Sequence, residues 1–359
     1  MSKIIFNAPF NSLSFGNVSY NLAREMYKRD MDVGIFPIGD NIDINAFDNT
    51  SEDFKEWLAS AVKNRYSFLK KDVPTLKLWH LNGSETKMNG NQTLFTFYEL
   101  DSPTQPEMNI AALQDNIVFS SEYSKSKFDL TSNSHSVSIG FDEDFKKTGR
   151  TYLNNKVHFG LMGKWEKRKH TEKIIKLWIQ EYGNNPDYQL SCCVVNPFIK
   201  QEQMNQIIAQ ALEGKQYNNI NFFPYLKTNS EVNDFLNAID VDLTGLSGAE
   251  GWNLPSFNAT ALGKWSVVLN ATSHKDWATE DNSILVSPDG KEPSHDGVFF
   301  HNGHDFNQGN IYTWDDDDVV DAFKLAEKKS KEENTEGIKL QTDFTYSKTL
   351  DSLLNIINK

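Results

Sequence analysis

The chain has 359 residues, 38% of them hydrophobic and 24% charged, with a net charge of −13. That length exceeds one typical core and fits two globular domains of roughly 150–200 residues each. The acidic balance argues against a broad nucleic-acid footprint, and no run approaches the roughly 18 consecutive apolar residues of a membrane span. Cys192 and Cys193, adjacent in an apolar run, suit buried thiols in a strand and not a disulfide framework. The N-terminus, MSKIIFNAPF, lacks the layout of a signal peptide, so a reducing, cytoplasmic setting is expected.

Residues 3–8 (KIIFNA) predict a strand that ends in the loop PFNSLSFGN, which holds Ser14 and Gly16. Val18, Leu22, Met26 and Tyr27 then mark a helical stripe, and residues 32–38 a second strand. This is an opening of the Rossmann type. It lacks G-x-G-x-x-G, so no dinucleotide site is expected. A helix over 52–70 and strands over 76–81 and 93–97 follow. The last strand runs into Tyr98-Glu99-Leu100-Asp101-Ser102-Pro103-Thr104. Its acids stand at the carboxyl end of a strand, where open α/β sheets bind ligands, or else cap the loop around Pro103. A strand over 116–120, a short helix and a strand-like segment over 137–142 close the first domain. The polar, turn-rich residues 146–155 read as the linker between domains 1–150 and 151–343.

The second domain opens with a strand over 157–162, the basic loop Gly163-Lys164-Trp165-Glu166-Lys167-Arg168-Lys169-His170, and a helix over 171–182. Strands over 188–195 and 220–223 alternate with helices over 201–212 and 230–239. Asp240-Val241-Asp242 has the D-x-D spacing of metal-dependent transferases, but it ends a helix and begins a strand, so it is taken as a chance match and no metal site is expected. Residues 240–269 hold the densest pattern. An apolar run leads to a small-residue loop (Gly245, Ser247, Gly248), then to Glu250-Gly251-Trp252, a helix opened by Leu254-Pro255 and a further strand over 266–269. A loop feeding a helix N-terminus offers free backbone N–H groups and the positive end of the helix dipole, which suit phosphate. Glu250 is poorly placed for phosphate but well placed to accept hydrogen bonds from sugar hydroxyls; the alternative is an ordinary loop glutamate beside a capped helix. A loop with His274, a strand over 282–286 and irregular loops over 289–312 come next. Asp315 to Asp318 read as a solvated helix start, and an amphipathic helix occupies 344–357 (Tyr346, Leu350, Leu353, Leu354, Ile357).

The order Glu250-Gly-Trp-Asn-Leu-Pro-x-x-Asn258-Ala-x-Ala-x-Gly263 resembles the E-x7-E region of retaining glycosyltransferases of family 4. Gly163-Lys164 with Lys169 is similar to their G-R-x-x-x-x-K-G element, and Glu99 to Pro103 to an acceptor-facing segment. Lys164 replaces an arginine, Asn253 a glycine, and Asn258 the second glutamate. The resemblance implies two Rossmann-like α/β domains facing a cleft, the GT-B arrangement, with helix 344–359 returning onto the first domain. It implies retaining, metal-independent transfer of a sugar from a nucleotide-sugar donor, a UDP-sugar favoured, to an acceptor hydroxyl. Glu250 would bind the donor sugar, and Lys164, Lys169 and the backbone around Trp252, Asn253 and Leu254 the diphosphate. Asn258 would meet the ribose, Tyr225 and Leu226 the base (or simply the core), and Ser14 and Gly16 would lie beneath the donor. Glu99 and Asp101 would orient or deprotonate the acceptor, which is a glycan, a small molecule or a hydroxymethylated DNA base; the preference for Asn and Lys fits an AT-rich, viral genome. The competing expectation is a catalytically degenerate GT-B-fold binding protein, since Asn253 and Asn258 both depart from the motif.

Overall fold

The computed structural model describes residues 3–39, 41–128, 133–150, 152–153 and 155–359. Six parallel strands form a first sheet: β1 (Ile4–Ala8), β2 (Val33–Pro37), β3 (Thr75–Leu78), β4 (Gln92–Thr96), β5 (Asn116–Phe119) and β6 (Ser134–Ser136), in the order β2-β1-β3-β4-β5-β6. A second parallel sheet holds β7 (Val157–Met162), β8 (Tyr188–Cys193), β9 (Ile220–Phe222), β10 (Val241–Asp242), β11 (Trp265–Leu269) and β12 (Ile284–Val286), in the order β12-β11-β10-β7-β8-β9. Parallel neighbours need crossovers, and helices on both faces supply them, which is why strands such as β4 and β11 are buried along their whole length.

Helical spacing predicts most of these crossovers, with shifted ends. The first helix spans Ser14–Lys28, so Ser14 and Gly16 are helical and not in a loop. Gly16 has a packing reason: a Cβ there would come within 2.2 Å of the Asn11 backbone oxygen. The segment after Pro103, for which the sequence suggested no element, forms the helix Gln105–Leu113, opened by a capping box between Thr104 and Glu107. The last strand of the first sheet falls at Ser134–Ser136, ahead of the 137–142 segment. Within the span read as irregular, β13 (Gly290–Pro293) and β14 (Asn310–Thr313) pair as an antiparallel hairpin.

The C-terminal helix Tyr346–Ile357 lies along Ser14–Lys28. Thr349 donates to the Ser138 carbonyl at 2.8 Å, and Arg29 pairs with Asp351 at 2.5 Å. Leu350 and Leu353 are fully buried in an apolar cluster that also contains Phe6 and Ile35 of the first sheet and Val268 of the second, so one core joins residues of both sheets. Each such leucine contributes about 1.5–3 kcal/mol by burial. Among the described residues, no helix is long and apolar enough to cross a membrane.

Candidate active site

In a doubly wound sheet, a crevice opens where successive crossovers leave to opposite sides. In the second sheet that point lies between β7 and β10, and in the first between β1 and β3. The two crevices face one cavity of about 560 Å3, lined by the loops after these strands. Topology thus brings 11–15 and 79–80 together from one side, and 163–169 and 250–255 from the other.

The second side carries a compact charge cluster. Lys169 Nζ donates to Glu250 Oε1 at 2.5 Å, and Arg168 reaches the same oxygen at 3.1 Å. Arg168 also meets Glu166 at 2.7 Å, the Ala249 carbonyl at 2.7 Å and, from the first domain, Glu99 at 3.2 Å. Arg168, Glu166 and Glu250 are all buried. Burial alone would raise the Glu250 carboxyl, but Lys169 and Arg168 outweigh it and hold the group well below the usual carboxylate range. Burial pushes Glu99 the other way, upward, against the pull of Arg168. Lys164 pairs with Glu166 at 2.8 Å, and its ammonium sits over the Phe299 and Phe198 rings at 4.7 and 5.4 Å.

Asn253 stands immediately before the helix Leu254–Ala261 in the left-handed region, at φ 67°. The glycine of the resembling motif would take this conformation freely, and asparagine is among the side chains that tolerate it best. Its amide donates to the Thr244 carbonyl at 3.0 Å and to His274 Nε2 at 2.9 Å. His274 Nδ1 in turn donates to the Leu269 carbonyl at 2.9 Å. That tautomer leaves Nε2 an acceptor, and burial lowers the imidazole to about 4, so it is neutral at ordinary pH. The buried pair therefore braces the entry to the helix.

Of the residues singled out in the sequence, Glu250, Lys164, Lys169, Glu99, Ser14, Tyr225, Leu226, Trp252, Asn253 and Leu254 all line the cavity. Tyr225 also shares a 3.0 Å hydrogen bond with Ser12 across the cleft. Three others do not line it. Gly16 packs against Asn11, as described above. Asn258 lies one helical turn beyond Leu254, buried, with its Oδ1 lacking a hydrogen-bond partner among the described residues. Asp101 turns away to the hairpin, where it accepts from Lys291 at 2.8 Å and from the Asn310 backbone N–H at 2.8 Å. These contacts outweigh burial and lower its carboxyl, and Asp101 is not among the residues that line the cavity. Asp240 and Asp242 are likewise structural. Asp240 accepts from the His158 N–H at 2.9 Å, and Asp242 from Ser256 at 2.7 Å.

Sequence reasoning passed over Arg168, which stands among four basic residues in six positions. It also passed over the rings of Phe15, Trp79, His80 and Phe97, which come from separate segments. Phe15 stacks on Phe97 at 4.2 Å and lies 4.3 Å from His80 and 5.8 Å from Trp79. No local spacing signals such a convergence.

No protein-family model matches the chain, and no curated protein matches it in sequence. Solved structures do match in fold. Sucrose-phosphate synthase from Thermosynechococcus elongatus aligns with a TM-score of 0.70 at 12% identity, over 100% of this chain and 98% of that one. HepE from Anabaena, in complex with UDP-glucose, aligns with a TM-score of 0.63 at 12% identity, over 100% of both chains. TarM aligns with a TM-score of 0.57 at 12% identity, over 81% of this chain but only 55% of its own length. At such identities the likeness concerns the fold alone: two parallel six-stranded sheets facing a cleft, the GT-B arrangement.

Proposed function

We propose that the chain is a retaining glycosyltransferase that moves a sugar from a nucleotide-sugar donor, a UDP-sugar by preference, to an acceptor hydroxyl without a metal. The observation that carries this is Glu250 with Lys169 and Arg168 at the switch point of the second sheet, beside the N-terminus of Leu254–Ala261. A departing nucleoside diphosphate gathers negative charge as the glycosidic bond breaks. Lys164, Lys169 and the helix N-terminus supply positive charge where that develops. Glu250, held ionised by its two cations, accepts hydrogen bonds from the donor sugar's hydroxyls. Tyr225 and Leu226 flank the base, and Glu99 faces the acceptor hydroxyl from the first domain. That HepE was solved with UDP-glucose on the same fold supports the choice of donor.

The test is thermal stability against UDP-, GDP-, ADP- and CMP-sugars without added metal, followed by the anomeric configuration of any product. A saturating donor stabilises by RT ln(1 + [L]/Kd), about 2.7 kcal/mol at a hundredfold excess over Kd. One nucleotide sugar is expected to shift the melting temperature, and Glu250→Gln to abolish the shift. Stabilisation by none of them would overturn the proposal and favour a binding module that has lost its donor, with Asn258 the first suspect.

A further inference from the structure

The two walls of the cavity differ in chemistry. The second side contributes Lys164, Arg168, Lys169 and Lys227. The first side contributes the 11–15 and 79–80 segments, Ala46, the 97–100 segment and Ile139, with no lysine or arginine among the described residues. Among the described residues its only carboxylate is Glu99. An acceptor carrying phosphates, as in DNA, needs several cations on the wall that holds it, because phosphate contacts supply most of the affinity. This wall has none, and the chain as a whole carries a charge of −13.

What the first wall does have is rings and polar atoms in alternation. Trp79 and His80 meet at 5.2 Å and 79°, so they present an edge and a face, with Phe15 and Phe97 stacked beside them. His80 is exposed, and Trp79 and Phe97 are half-buried. Around them stand Asn11, Ser12 and Glu99. Arg168 engages Oε1 of Glu99 and so takes only part of the acceptor capacity of that carboxylate. A pyranose has the matching surface: an apolar face of C–H bonds that lies on an aromatic ring, and a rim of hydroxyls that seek carboxylate, amide and hydroxyl partners.

Building on the proposed transferase activity, we infer that the acceptor is a neutral sugar, seated with a ring face on Trp79 and His80 and a hydroxyl on Glu99, and not a polyanion. The transfer balances simply. The acceptor oxygen forms a bond to the donor's anomeric carbon as the bond to the diphosphate oxygen breaks, and the hydroxyl proton leaves with the nucleoside diphosphate.

The experiment uses the full chain, with the donor identified by thermal shift, and two sets of acceptors. One set comprises methyl α- and β-glucosides and galactosides, methyl N-acetylglucosaminides and their disaccharides. The other is duplex DNA containing 5-hydroxymethylcytosine. UDP release is expected to rise with at least one neutral sugar, with a rate that hardly changes with salt. Trp79→Ala and, as the exposed alternative in case that variant fails to fold, His80→Ala are expected to raise the acceptor KM roughly tenfold, the size of one ring contact. The donor KM is expected to stay within about twofold. Turnover with the DNA, steeply weakened by salt, or no response to any neutral sugar would overturn the inference while leaving the transferase proposal standing. Absence of a donor shift would instead remove the transferase proposal itself.

Discussion

At the scale of single residues, Arg168 is the one on which the cavity floor depends. Its guanidinium is shared among Glu99, Glu166, Glu250 and the Ala249 carbonyl. A buried cation among three carboxylates contributes little net stability against an apolar isostere, but its removal strands uncompensated charge. Arg168→Met is therefore expected to cost about 3–5 kcal/mol in urea unfolding, with part recovered when Glu166→Gln is added. A loss below roughly 1 kcal/mol would mean these pairs behave as solvent-screened surface pairs. Lys169, by contrast, has a single carboxylate partner among the described residues, Glu250. A donor sugar that engaged Glu250 would leave this ammonium at the wall for a phosphate. In the proposed reaction the two neighbours would divide the work: Arg168 would hold the site's shape, and Lys169 would supply charge to the donor's phosphates.

At the scale of elements, the loop between β10 and the helix Leu254–Ala261 sets the site's geometry. The chain must turn from the sheet into the helix with its N–H groups facing the cavity, and it does so through one left-handed residue. Asn253 tolerates that conformation and anchors it through Thr244 and His274. Asn253→Gly keeps the turn and loses the anchors, whereas Asn253→Val loses the anchors and clashes in the left-handed region. Urea unfolding should show the valine variant less stable than the glycine variant by about 1–2 kcal/mol. Equal stabilities would mean that the loop relaxes to another conformation. Close packing limits such relaxation, because a Cβ on Gly248 would meet the Tyr312 carbonyl at 2.3 Å and His170 Nε2 at 2.7 Å.

At the scale of the whole molecule, the hairpin of β13 and β14 with its connecting loop bridges the two sheets. Beyond the Asp101 contacts, the Asn307 N–H donates to Glu107 at 2.9 Å, and Thr104 bonds to the Asp305 carbonyl. Phe300 and Ile311 are buried with Leu81, Tyr98, Leu100 and Ile110 of the first domain. Elsewhere across the cleft, Ser120 donates to the Gly251 carbonyl at 2.6 Å and the Glu122 N–H to Asp276 at 2.8 Å. Asp101→Ala should strip the hairpin of its charged anchor. The expected result is a loss of about 1–3 kcal/mol and faster hydrogen exchange at the Asn307 and Asn310 amides. Unchanged exchange would show that the remaining polar and apolar contacts hold the hairpin in place without Asp101.

The alternation of strand and helix periods was enough to predict a Rossmann-type opening over residues 3–38 and alternating strands and helices over 157–269, while two such domains facing a cleft were what the motif resemblance implied. These signals are local: side-chain spacing of two or of 3.6 residues reports burial without reference to the rest of the chain. The same holds for Glu250 and Asn253, whose identity and order carry a loop-to-helix signature within one segment, and for Lys169 within the basic loop 163–170. What lay beyond reach was decided by packing between distant segments. The helix Gln105–Leu113 has no clean apolar stripe, and the hairpin that covers it is rich in Gly, His and Asn, so neither announces itself. Asp101 has the spacing of a site acid, yet Lys291 and Asn310, some two hundred positions onward, turn it into an anchor. Arg168 is one cation among four until folding surrounds it with three carboxylates. Periodicity determined most of the residues that lie in sheet and helix; only the crossing of the chain at the two switch points decided which of them meet in one cavity, because that depends on contacts no local window contains.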